Sequence, residues 1–140
     1  MSDNNANAVW NGTLKDGKGA MSFTGFNGPF TFSSRFEDGS ETNPEELVGA
    51  AIAGCYSMFL SALISKSELS PNIETSAVVS LGKDETGPNI TDIKLTCNVT
   101  CEGLSQEKFT ELAQTAKEKC PISRLYAGGT AKIELTATLS

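Results

Sequence analysis

The sequence predicts an α+β fold, on three observations. Short strands and tight turns fill the first third of the chain; an 18-residue run without charge, Leu47 to Ile64, follows; the remainder reads strand, strand, helix, strand. The order β-rich, α, ββ, α, β groups strands and helices in the manner of α+β architecture. At 140 residues the chain is expected to form one domain, residues 1–140. A chain of that size buries about 68% of its unfolded surface.

The elements follow in order. Ala8-Val9-Trp10 and Met21-Ser22-Phe23 flank a turn-rich stretch containing Asp16-Gly17, and Asn27-Gly28 precedes a further strand, Pro29-Phe30-Thr31-Phe32. These are hairpin signals. Phe36 to Ser40 is a polar loop. Asn43-Pro44-Glu45-Glu46 then starts a helix: Asn43 caps, Pro44 suits the first helical position, and two carboxylates face the positive helix end. The charge-free run behind it is apolar all round, so it is expected to be a buried central helix. Its Gly, Ala and Ser content and the lack of a basic anchor before it argue against a membrane span.

Thr75 to Leu81 reads as a strand, joined through Lys83-Asp84-Glu85-Thr86-Gly87-Pro88 to a second one. There Ile93, Leu95, Cys97, Val99 and Cys101 alternate with polar residues, and Ala131, Ile133, Leu135, Ala137 and Leu139 do the same near the C-terminus. Both fit an antiparallel sheet with one wet face. Between them Ser105 caps a helix to about Lys119, with Phe109, Leu112, Ala113 and Ala116 on one face and a Leu104–Phe109 staple. One small sheet covers only one side of the central helix. The expected remedy is an obligate homodimer with two-fold symmetry.

Composition narrows the function. A net charge of −6, with no basic block, argues against nucleic acid and anionic membrane surfaces as partners. The absence of histidine removes His-based acid–base catalysis and most zinc or iron sites. The N-terminal residues lack a secretory signal pattern, so the four cysteines are expected to be reduced thiols and the location cytoplasmic. Cys97 and Cys101 lie about 13 Å apart on one strand face, too far to bridge, and read as core filler. Cys55, mid-helix among apolar residues, reads as core filler or as one half of a redox couple. Cys120, ahead of Pro121, can cap a new helical turn, which makes it the more nucleophilic of the two on local electrostatics.

Arg35-Phe36-Glu37, the run Thr42-Asn43-Pro44-Glu45-Glu46-Leu47-Val48-Gly49-Ala50-Ala51-Ile52-Ala53-Gly54-Cys55, and Cys120-Pro121-Ile122-Ser123 together closely resemble the OsmC/Ohr family. Within it they resemble the osmotically inducible protein C branch. The likeness extends from Trp10-Asn11-Gly12 and Gly17-Lys18-Gly19 to the last strand. The Asn-Pro-Glu-Glu-Leu run at its spacing from Cys55 is the specific element; Cys-Pro alone is weak.

This resemblance implies an OsmC-like fold and an intertwined homodimer. It further implies a thiol-dependent peroxidase that reduces organic hydroperoxides to alcohols without a bound cofactor. A lipoylated protein or small dithiol would be the external reductant. Cys55 corresponds to the peroxidatic thiol and Cys120 to the resolving thiol that forms a disulfide with it, which reverses the electrostatic ranking. Arg35 and Glu45 correspond to the family's charged pair.

The chemistry suits these roles. A thiolate in apolar surroundings needs a cation, which Arg35 supplies, and Glu45 can hold the guanidinium bidentately. Apolar neighbours such as Met58 and Phe59 would suit an alkyl chain. Glu45 precedes Cys55 by ten residues, about 15 Å along a regular helix. Arg35 must therefore bridge them, the helix must break at Gly49 or Gly54, or Glu45 must come from the other subunit; a composite site at the dimer interface is the favoured form. The rival readings are a non-enzymatic apolar-ligand-binding protein and a thiol redox sensor. Rapid alkylation of Cys55 near neutral pH would argue against an inert thiol.

Overall fold

A computed structural model describes all residues, 1–140. The chain, expected at this length to make one domain, consists of two compact units, Met1–Leu47 and Val48–Ser140. The first is a three-stranded antiparallel meander, β1 (Asn7–Asn11), β2 (Lys18–Phe23) and β3 (Phe26–Phe30), followed by a short helix α1 (Phe32–Phe36).

Two expectations for this unit need correction. The β2–β3 turn falls at Thr24-Gly25, where Gly25 takes φ of +79°, and not at Asn27-Gly28, which lies inside β3. The pairing Phe23↔Phe26 sets those two rings in a stack 4.7 Å apart, which fixes the turn three residues earlier. Gly28 serves close approach instead: an added Cβ would lie 2.5 Å from the Phe26 ring and 2.7 Å from the Thr42 methyl. Second, Thr31-Phe32 opens α1 and does not extend the strand. Thr31 Oγ1 accepts from Ser34 N at 3.1 Å and Ser34 Oγ accepts from Thr31 N at 2.9 Å, a reciprocal cap. Ser34 Oγ also donates to Thr42 O at 2.7 Å, and Asn43 Nδ2 donates to Ser34 O at 3.0 Å. These bonds close the polar loop expected after Phe36.

The long helix α2 (Pro44–Ser65) starts as expected, with Asn43 Oδ1 accepting from Glu46 N at 2.8 Å. It runs without interruption, so the break contemplated at Gly49 and Gly54 does not occur. By length and composition it could cross a membrane. In the second unit, however, its stripe Ile52, Tyr56, Leu60 and Ile64 is fully buried in the core. Gly49 lets the helix approach the sheet: a Cβ there would meet Val79 at 3.2 Å and Ala77 at 3.5 Å. The opposite face, including Ala51, Gly54, Met58 and Ala62, is exposed. One chain covers one side of this helix.

The second unit continues with β4 (Asn72–Asp84), β5 (Gly87–Thr100), α3 (Gln106–Lys119), α4 (Pro121–Ala127) and β6 (Lys132–Leu139). The strand order is β4-β5-β6. Central β5 buries Ile93, Leu95, Cys97 and Val99 almost completely and exposes Lys94, Thr96, Asn98 and Thr100, the alternation read from the sequence. Cys97 and Cys101 are core residues. Ser105 caps α3, and Phe109, Leu112, Ala113 and Ala116 are its buried face.

The sheet is not purely antiparallel. β4 pairs antiparallel with β5, but β6 runs parallel to it, with Ile93 opposite Ile133 and Leu95 opposite Leu135. The reason lies between the strands: α3 and α4 form a helical crossover, and a strand reached through such a crossover returns in the same direction. Tyr126 and Ala127 are the last two residues of α4.

Candidate active site

The four residues singled out from the sequence fall into two pairs, one in each unit. In the first unit, Arg35 stands in the last turn of α1 and Glu45 in the first turn of α2. Arg35 Nη2 donates to Glu45 Oε1 at 2.8 Å, and Nε donates to the same carboxylate at 3.2 and 3.3 Å. The Glu45 side chain is 10% exposed and that of Arg35 37%. The reciprocal cap at Thr31 and the Ser34 and Asn43 bonds hold α1 against the start of α2 and so set the pair's geometry. The guanidinium lies 5.2 Å from the centre of the Phe36 ring. A buried acid anchors a half-exposed cation by its fork, leaving Nη1 outside the pair.

In the second unit, Cys55 is half-buried on the flank of α2, beside the buried Ile52–Tyr56 stripe. Cys120 is fully buried at the junction of α3 and α4. It closes one helix and caps the next: its N–H donates to Ala116 O, and its Sγ accepts from Ser123 N at 3.3 Å. Burial pushes the Cys120 thiol up to about 11; the Ser123 N–H pulls it back in part, and the neighbouring Cys55 thiol raises it further. The expectation that the helix start would make Cys120 the better nucleophile is therefore corrected. The capping geometry is present, but desolvation outweighs it, and a buried thiol keeps its proton. Cys55 is the more accessible of two adjacent thiols.

Sequence reasoning missed two tyrosines beside them. The Tyr126 hydroxyl donates to Val48 O at 3.1 Å, and its pKa is raised by burial and then by Cys55. Tyr56 donates to Ala113 O at 3.3 Å; burial raises its pKa, and Cys97 and Cys120 add to the shift. The available signals were Tyr56 directly after Cys55 and Tyr126 two turns after Cys120, which matter only once α4 is recognised. Cys97 interacts with Thr75 and Tyr56. Met58, expected to line an alkyl site, stands 78% exposed on the open face of α2.

Residues 37–136 match the family described as OsmC-like protein. The chain is 41% identical to Peroxiredoxin OsmC of Escherichia coli (strain K12), over 84% of this chain and 85% of that protein. Among solved structures it resembles the organic hydroperoxide resistance protein OhrB of Bacillus subtilis, with a TM-score of 0.70 and 25% identity over 96% of this chain and 98% of that one. The OsmC-like protein from Mycoplasma pneumoniae has the same fold, with a TM-score of 0.75 at 16% identity over 99% and 97% of the two chains.

Proposed function

The chain belongs to the OsmC-like protein family, and from that premise we propose that it is a thiol-dependent peroxidase reducing organic hydroperoxides to alcohols. The observation that carries the reading is the pairing of an accessible thiol, Cys55, with a sealed neighbour, Cys120. In the first step the Cys55 thiolate attacks the terminal oxygen of the hydroperoxide. An S–O bond forms, the O–O bond breaks, and the departing alkoxide takes a proton to become the alcohol. Cys55 is then a sulfenic acid.

In the second step Cys120 attacks that sulfur. The S–S bond forms and hydroxide leaves, protonated to water by the proton the buried thiol has kept. An external dithiol, free or lipoyl-type, returns both thiols by exchange. A cycle reset in this way fits a reducing compartment, and the cytoplasm is the location we assign. Arg35 is the cation that would hold Cys55 as thiolate and stabilise the leaving alkoxide, with Glu45 fixing its fork.

Glu45 and Cys55 stand ten residues apart on an unbroken helix, about 15 Å. We therefore assign the complete site to a homodimer in which the exposed face of α2 packs on a second copy, the charged pair of one subunit serving the thiols of the other. Three proteins test the reading: wild type, Cys55→Ser and Cys120→Ser, with cumene hydroperoxide and a dithiol reductant. Cys55→Ser should abolish turnover, and Cys120→Ser should allow one reduction per subunit and then stall. Equal turnover by all three would overturn it. Mixing Cys55→Ser with Glu45→Ala subunits should restore activity if the site is shared, and no recovery would place the site within one chain.

A further inference from the structure

Closing the bridge requires the Cys120 sulfur to reach the Cys55 sulfur, and a disulfide forms only where the two Cα atoms come within about 4.4–6.8 Å. The thiols stand on separate stretches of chain, Cys55 within α2 and Cys120 at the junction of α3 and α4. Two hydrogen bonds in the second unit tie those stretches together. Both come from tyrosines that the thiol chemistry leaves without a role. Tyr56, the residue after Cys55, is fully buried and donates to Ala113 O of α3 at 3.3 Å. Tyr126, in the last turn of α4, donates to Val48 O of α2 at 3.1 Å.

The two bonds run in opposite directions. One leaves the Cys55 helix for the helix that ends at Cys120; the other leaves the helix that Cys120 starts and returns to the Cys55 helix. Val48 precedes Cys55, and Ala113 precedes Cys120, by the same seven residues, about two helical turns at ~3.6 residues each. On α2 the anchor points Val48 and Tyr56 are about 12 Å apart along the axis, with Cys55 between them. A single bond would leave a pivot, whereas two separated bonds of opposite sense resist both sliding and rotation. Cys97 on β5 interacts with the Tyr56 side chain, which ties that ring to the sheet as well.

We propose that Tyr56 and Tyr126 are positioning residues for disulfide closure: their hydroxyl bonds hold the Cys55 and Cys120 sulfurs within bonding reach, and neither takes part in the attack on peroxide. The proposal rests on the peroxidase reading and adds to it the groups that set the speed of its second step. The bonds made and broken stay the same. The S–S bond forms, the S–O bond of the sulfenic acid breaks, and hydroxide leaves as water with the Cys120 proton. Because closure is intramolecular, its rate follows how often the sulfurs are in line, and a displacement of about 1 Å can cost ~100-fold.

Tyr56→Phe and Tyr126→Phe each remove one hydroxyl and keep the ring. Ser57→Ala is the control. It removes a 2.7 Å bond from the next residue of α2, but one that reaches Thr75 on β4 and not α3 or α4. Each reduced protein is mixed with one equivalent of cumene hydroperoxide per subunit and quenched at successive times. Cys55 sulfenic acid and the Cys55–Cys120 disulfide are then counted by mass spectrometry. Sulfenic acid should form at the wild-type rate in every variant. Closure should slow roughly three- to tenfold in each tyrosine variant, and further in the double variant, but stay within about twofold in Ser57→Ala. The ratio of reduced to oxidised dithiothreitol that half-opens the bridge, a measurement without peroxide, should fall by a similar factor in the tyrosine variants.

Closure at the wild-type rate in both tyrosine variants would overturn the proposal. Equal slowing in Ser57→Ala would overturn it too, by marking a general loosening of α2. Slower sulfenic acid formation in the tyrosine variants would do the same, by placing the hydroxyls in the first step. If the wild type forms no sulfenic acid, the peroxidase reading falls, and the dithiothreitol ratio still decides whether the tyrosines hold the thiols together.

Discussion

Replacing Cys120 by serine should flatten the alkaline limb of the stability curve. The sealed position holds the thiol at a pKa of about 11, against an ordinary value of 9.0 for an exposed one. The unfolded chain therefore gives up this proton at lower pH than the folded protein does. Between those two values the folded state binds more protons, so stability falls as pH rises. Below about pH 9 the contribution is fully present; it is lost as pH climbs through the folded value. Two pH units at about 1.4 kcal/mol each come to about 3 kcal/mol, a large share of the ~5–15 kcal/mol typical of a domain.

Serine has nearly the same shape and does not titrate in this range. Urea unfolding of the fully reduced proteins, followed by circular dichroism at several pH values from neutral to about 10.5, isolates the effect as a difference. Cys97, whose shift comes from burial, Thr75 and Tyr56, is common to both proteins. The stability gap should shift in favour of Cys120→Ser by about 2–3 kcal/mol towards the alkaline end. Parallel curves would refute the claim that burial governs this thiol.

Glu45→Gln keeps the shape but loses the charge that grips Arg35, and the half-exposed guanidinium limits the loss to about 1–2 kcal/mol. Thermal unfolding should show it, and peroxide turnover should fall more than a Glu46→Gln control, whose side chain holds no cation. Gly28→Ala should destabilise the first unit by about 1–3 kcal/mol through the Phe26 and Thr42 contacts, read as a lowered melting midpoint. Met58→Glu on the open face of α2 should convert the proposed dimer to monomer in light scattering and abolish steady-state turnover, and an unchanged mass would contradict the assigned interface. Tyr126→Phe removes the bond to Val48 O at 3.1 Å and should cost about 1 kcal/mol in urea unfolding.

Much of this fold was legible because its signals are periodic or local. The β5 alternation named the buried Ile93, Leu95, Cys97 and Val99, and Ser105 with the Phe109–Ala116 face gave α3 its start and its core side. What failed was information the chain does not carry locally. Strand direction leaves no mark on an alternating pattern, so the parallel β6 could be read only from the double-helix crossover before it. A five-residue helix such as α1 has no period to detect, and its Thr31–Ser34 cap replaces the usual acid with a hydroxyl. Asn27-Gly28 has turn chemistry, yet the Phe23–Phe26 pairing overrides it.

The site divides in the same way. The Arg35–Glu45 fork has the geometry that the residue types suggested. The two thiols were visible, but their ranking was not. Helix-end electrostatics can be read from Cys120-Pro121, whereas the burial that outweighs it depends on how α3, α4 and the sheet close over that sulfur.

The most direct measurement is peptide mapping by mass spectrometry under non-reducing conditions, after one equivalent of cumene hydroperoxide per reduced subunit. A Cys55–Cys120 disulfide, with Cys97 and Cys101 still free, is the result expected, and Cys120→Ser should instead carry a trappable sulfenic acid on Cys55. Unmodified Cys55, or a bridge that engages Cys97 in place of Cys120, would contradict the proposed cycle.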